Sequence, residues 1–151
     1  MALVNKGRRL GQLQRSEEEI AVYDSVVSRY GDVNEPALRE QVAKALVNKG
    51  VRLGQLQLSE EAIAVCDAVV SRYADAGEPA LREPVAKALL CKAIVLWSSD
   101  RRGAARQLLE TLVVRFQEDQ ERSIVEIVSA ARAGLEELFG ESEESARNDR
   151  A

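Results

Sequence analysis

The chain contains two thiols, Cys66 and Cys91, and no histidine. With no imidazole, neither thiol has a base at a recognisable spacing to take its proton, so neither reads as an activated nucleophile. Their separation matches neither a disulfide framework nor a zinc site, which would also need further Cys or His ligands. Glu17 with Glu18 and Glu60 with Glu61 are paired carboxylates. An acid/base dyad needs a cleft and a raised pKa. At a helix start such pairs instead suit the positive end of the dipole and stay solvated. No phosphate loop or nucleophile elbow is present. No catalytic, cofactor-binding or metal-ligating residue is therefore assigned, no cofactor is expected, and an enzyme is not the expected reading.

The elements that would position these residues follow from composition and periodicity. At 151 residues the chain is long enough to bury a core as one domain. Aromatic residues make up 4% of it, while Ala, Leu and Val dominate. That mix favours close-packed helices over a β-sandwich. The net charge is −4 and no basic cluster exceeds a dipeptide, so the electrostatic footprint of a nucleic-acid binder is missing. No apolar run approaches the ~20 residues of a membrane span, and the N-terminus has no signal-peptide pattern. A reducing, cytoplasmic setting is the expectation.

Internal repetition dominates the sequence. ALVNKG starts at residues 2 and 45, and the related ALLCKA at 88, so the starts are 43 apart. Residues 2–44 and 45–87 differ at nine of 43 positions, leaving 34 identical. A third copy runs on from Ala88, with Arg115-Phe116 at the register of Arg72-Tyr73 and Arg29-Tyr30. Cys66 replaces Tyr23 in an apolar stripe and reads as an inert buried thiol. Cys91 replaces Asn5 and Asn48 and is expected to be partly exposed on an inner face.

Each copy predicts two helices. The first begins at a Glu-Pro pair, with Pro36 or Pro79 near its start, where the missing N–H costs nothing. Leu38, Val42, Leu46, Gly50 and Leu53 form its apolar stripe. The second follows Ser16 or Ser59 as N-cap, with a capping box completed by Glu19 in the first copy. Its stripe is Ile63, Cys66, Val69, Val70 and Tyr73, and residues 31–34 and 74–77 supply turns. In the third copy the cap moves to Ser99 or Asp100. The expected helices span 2–14, 16–30, 36–57, 59–73, 79–98, 102–117 and 121–139. Pro84, which replaces Gln41, predicts a kink or restart within 79–85. The last helix turns Ile124, Ile127, Val128, Ala131, Leu135 and Leu138 inward as a terminal cap. Residues 140–151 hold no large apolar side chain and read as a disordered tail. The first copy begins partway through its first helix, so the sequence reads as a fragment of a longer array.

Asn48, Lys49, Gly50 and Leu53, followed by SEEAIAV at 59–65, resemble the Asn-x-Gly, Leu and Glu-Ala-Ile signature of the tetratricopeptide repeat. The resemblance covers about residues 2–117. Its 43-residue period exceeds the ordinary ~34 and is similar to a long-repeat variant known in bacterial proteins. It implies an all-α fold: an α-solenoid of antiparallel helix pairs, with repeats 2–44, 45–87 and 88–120 and a cap helix at 121–139. Gly7 with Glu19, Gly50 with Ala62 and Ala93 with Ala105 then occupy the close-approach positions of each pair. Glu19 is the misfit among them.

The resemblance also implies that first helices line a concave groove for a peptide or protein partner. Lys44, Asn48, Val51 and Gln55 share one helix stripe, repeated by Asn5, Arg8 and Gln12 before it and by Lys87 after it. In the family, an asparagine at the Asn5 and Asn48 position bonds the backbone of an extended peptide, and lysines matching Lys44 and Lys87 hold a carboxylate. A solvated face copied by duplication would carry the same residues. The expected function is a non-catalytic protein-binding scaffold, with neither nucleic acid nor membrane as partner. The alternatives are a self-associating structural module, or the recognition arm of a larger protein that is itself an enzyme. Self-association would use the uncovered first repeat, through Leu3, Leu10, Leu13, Ile20 or Tyr23, as a homodimer.

Overall fold

The computed structural model describes the backbone of residues 2–148 and the side chains of 12–140. Within them the fold is all-helical, with six α-helices packed against one another and no strand. They are α1 (Ala2–Tyr30), α2 (Pro36–Gln55), α3 (Ser59–Tyr73), α4 (Arg82–Ser98), α5 (Arg102–Phe116) and α6 (Arg122–Asn148). Each helix packs on the next, and α2, α4 and α6 also touch in series.

The helical stripes form the core. Val42, Leu46, Gly50 and Leu53 of α2 are buried, as are Cys66, Val69 and Tyr73 of α3. Val85, Leu89, Ala93 and Leu96 repeat the α2 pattern on α4. Ile124, Ile127, Val128 and Ala131 close the far end from α6, with Leu135 partly buried against them. Nearby, Phe139 meets Trp97 edge-on with ring centroids 5.5 Å apart.

The turn between α2 and α3 recurs 43 residues later. Gln57 (φ 62°) and Asp100 (φ 61°) occupy the left-handed region. The Gln57 and Leu58 N–H groups donate to the Gly54 and Leu53 carbonyls, and those of Asp100 and Arg101 donate to Trp97 and Leu96. This is the 5→2 and 6→1 pattern of a Schellman turn, which satisfies the last carbonyls of the preceding helix. Three ion pairs repeat at the same interval. Asp24–Lys49 and Asp67–Lys92 are each 2.5 Å long, and Glu40–Lys44 and Glu83–Lys87 are each 2.6 Å. Arg39 bridges to Glu78 as Arg82 does to Glu121.

Several sequence expectations are corrected. No turn separates 2–14 from 16–30, because α1 runs unbroken from Ala2 to Tyr30. Ser16 is accordingly no cap: it is buried in mid-helix, and its hydroxyl donates to the Gln12 carbonyl at 2.9 Å. Glu19 completes no capping box but pairs with Arg52 at 2.5 Å. Ser59 is likewise not the cap of α3, whose N-cap is Leu58, and Arg101 takes that place before α5 in preference to Ser99 or Asp100. In both cases the Schellman turn, rather than a serine, sets where the next helix starts. Finally, α6 continues past Phe139 to Asn148, so a disordered tail does not begin at residue 140. Residues 141–148 contain good helix formers and neither Gly nor Pro to stop them.

The restart at Pro84 is present. Pro79–Leu81 form one 3-10 turn and α4 begins at Arg82. The proline ring leaves no N–H to bond four residues back, so the α-helical ladder starts late.

A cleft between alternate helices

Lys44, Val47 and Asn48 of α2 face Glu83, Pro84 and Lys87 across a cleft of about 150 Å³. Val47 and Pro84 are buried and form its apolar floor, while Lys44, Asn48 and Lys87 are exposed at its rim. Three residues chosen from the sequence stripe are therefore brought together. The late start of α4 is what positions Glu83 and Pro84 there, opposite the middle of α2.

The charges are largely paired within each helix. Lys44 Nζ lies 2.6 Å from Glu40, and the hydrogen bond to that carboxylate, outweighing desolvation, raises the lysine pKa. Glu83 accepts from Lys87 at 2.6 Å, and this bond, with help from Ser123, lowers the carboxyl pKa. Each ammonium thus already holds a carboxylate, so the cleft offers an amide from Asn48 and balanced charge rather than a strongly cationic pocket.

The rest of the stripe lies elsewhere. Gln12 and Gln55 line a second, larger opening of about 530 Å³ between α1 and the end of α2, with Leu13, Arg52 and Leu56. Val51 is exposed but lines neither opening. Asn5 and Arg8, with Leu3 and Leu10 of the self-association set, lie outside the described side chains. Of the remaining self-association residues, Leu13 is 47% exposed, whereas Ile20 and Tyr23 are half-buried and Ile20 packs on the core. Val22, which the sequence reading does not single out, is the most exposed large apolar side chain among the described residues of α1.

Cys91 is not exposed. It is buried beside Cys66, close enough for the two thiols to hydrogen-bond. The spacing between them carries no recognised motif, so sequence pattern alone did not pair them. A signal was nevertheless present: each replaces the residue at the same register one copy earlier, Tyr23 and Asn48, and each is followed by one member of the Asp67–Lys92 pair.

Among the described residues no His, Cys, Asp or Glu cluster could hold a metal ion, and no helix is long and apolar enough to cross a membrane. Comparison with family models, with curated proteins and with solved structures finds no match.

Proposed function

We propose that this chain is a non-catalytic scaffold, a tetratricopeptide-like α-solenoid that binds an extended peptide or protein segment in the cleft between α2 and α4. The observation that supports this reading most directly is the gathering of Lys44, Asn48 and Lys87 around the Val47–Pro84 floor. The repetition of turn and ion pairs at 43 residues favours stacked helix pairs as its architecture. With the lysines already paired, the ligand best suited is a peptide of mixed polarity whose backbone amide meets Asn48 and whose apolar side chain covers Pro84. Selection from a displayed peptide library tests this, with Asn48→Ala and Lys87→Ala as controls. Peptides that bind the wild-type chain should lose about ten-fold in affinity on Asn48→Ala, the worth of one hydrogen bond of about 1.4 kcal/mol. Peptides held equally well by both variants would end the cleft reading.

A second reading, self-association through α1, is motivated by Leu13 and Val22, two exposed apolar side chains nine residues apart and so on opposite faces of the helix, each a separate apolar contact point. Light scattering over a concentration series separates the two readings. A dimer abolished by Leu13→Ser with Val22→Ser supports the second, and a strict monomer removes it.

A further inference from the structure

The face where α3 meets α4 carries both thiols of the chain. Cys66 projects from α3 and is fully buried, and Cys91 projects from α4 and is 9% exposed. The helices are held in register by the bond from Lys92 to Asp67, one residue beyond each cysteine. The same bond joins Lys49 to Asp24 one copy earlier, where the flanking residues are Asn48 and Tyr23. The contact thus carries Tyr23 and Asn48 where the first copy meets the second, and two cysteines where the second meets the third. Gly50 of α2 closes the space behind Cys66: a Cβ at Gly50 would lie 3.1 Å from its Sγ. The Cys66 sulfur therefore has no free space on its α2 side.

We propose that Cys66 and Cys91 form an oxidation site, a dithiol that a hydroperoxide converts to an intramolecular disulfide stapling α3 to α4. Cys91 is the attacking thiol, because it alone keeps contact with solvent, from the α4 face that also carries the cleft residue Lys87. Its sulfur displaces one peroxide oxygen to give a sulfenic acid and one water. The Cys66 sulfur then attacks the Cys91 sulfur, the S–S bond forms, and the hydroxyl leaves with the Cys66 proton as a second water. Two thiols and one hydrogen peroxide yield one disulfide and two waters, with two electrons passing to the peroxide. The hydrogen bond that Cys66 donates lowers the Cys91 pKa, which suits the attacking role, while that bond and burial raise the pKa of Cys66. Closing this staple would fix the relative placement of α2–α3 and α4–α5 and hence the width of the cleft between α2 and α4.

The experiment treats the folded full-length chain with hydrogen peroxide and then digests it with trypsin under non-reducing conditions. The expected product joins residues 53–72, which contain Cys66, to residues 88–92, which contain Cys91. It should form at the same rate over an about ten-fold range of protein concentration, revert with dithiothreitol, and raise the melting temperature of the oxidised chain. Cys91→Asn, which restores the residue found at this register in the preceding copy, should leave Cys66 unmodified. Three results overturn the proposal: cross-linked dimers in place of the internal bridge, over-oxidation of Cys91 with Cys66 still reduced, or a bridge that forms only after the chain is unfolded in urea.

Discussion

Replacing Gly50 by alanine tests the close approach of α2 to α3. A glycine inside a helix ordinarily forgoes about 1 kcal/mol relative to alanine, so the substitution begins with a gain of that size. At Gly50 the added Cβ would sit 3.1 Å from the Cys66 Sγ and 3.8 Å from a Val65 methyl. Non-bonded heavy atoms prefer roughly 3.5–4.0 Å, and the sulfur is fully buried with Cys91 behind it, so it cannot step aside freely. Overpacking of this kind costs about 1–3 kcal/mol, which exceeds the propensity gain and leaves a net loss of about 1 kcal/mol. Gly134 on α6 supplies the contrast. There a Cβ would meet Leu109 Cδ1 at 3.7 Å, an ordinary contact, so Gly134→Ala should stabilise by about 0.5–1 kcal/mol. At about 2–4 °C per kcal/mol for a chain of this size, the two variants should melt roughly 3–8 °C apart, with wild type between them. Urea unfolding followed by circular dichroism gives the free energies directly. Trimming the obstacle with Cys66→Ala should turn Gly50→Ala from harmful to neutral or favourable, a coupling of about 1 kcal/mol in a double-mutant cycle. If Gly50→Ala stabilised as much as Gly134→Ala, α2 and α3 would not approach at Gly50, and the reason given for that glycine would be wrong.

Gln57→Gly should stabilise by about 0.5–1 kcal/mol in urea unfolding, because the left-handed backbone at Gln57 strains a side chain and not glycine. Glu83→Gln should flatten the acid limb of the stability curve. The Glu83 pKa is held below its ordinary 4.5 by Lys87, so its contribution is present above that pH and lost as pH falls through the folded value. The effect is about 0.3–0.5 kcal/mol, read as a smaller stability drop between pH 5 and 3 than in wild type. Grafting Arg15→Leu, Glu19→Ala and Tyr23→Cys onto α1 should let it fold back as a hairpin. Probes at positions 5 and 25, about 30 Å apart along a straight helix, would then report roughly 10–15 Å.

Much of the helical layout was legible because apolar spacing and the Glu-Pro starts carry it. The boundaries of α2, α3 and α5 fall within two residues of those read from the sequence, and Pro84 announced the late start of α4. The serine caps were misread because the signal for them is local. Here the turn is fixed by carbonyls of the preceding helix reaching Gln57 and Leu58, a pattern with no glycine to mark it. The end of α6 was missed for a related reason: a polar, charged segment looks the same whether it continues a helix or leaves one. At the cleft, the stripe rule placed Lys44 and Asn48 on one face, and the 43-residue period added Lys87. Neither rule could show that each lysine is already paired, or that Gln12 and Gln55 belong to a different opening. The thiol pair needed both pieces of information at once, the register of the copies and the packing of α3 on α4.

The same near-identical sequence adopts two shapes in one molecule, straight at 2–30 and folded back at 45–73, and the nine differences contain a physical reason. Closing the hairpin at 45–73 buries Ala62 completely and seats the small Cys66 side chain against Gly50. The corresponding residues upstream are Glu19 and Tyr23. A carboxylate in the place of Ala62 would leave water without a partner, a cost of about 3–5 kcal/mol when a buried charge is uncompensated. A tyrosine in the place of Cys66 would overfill a space where a single methyl at Gly50 already crowds the sulfur. The left-handed turn residue adds about 1–2 kcal/mol more to any closure. In the straight helix these costs vanish: Glu19 reaches Arg52, Asp24 reaches Lys49, and Val27 and Tyr30 still pack on the core. Arg52 recurs in register as Val95, which has no charge to offer. Glu19 and Arg52 thus form an ion pair beside the open helix, whereas the residues in their register, Ala62 and Val95, are both apolar and buried in the core of the closed one.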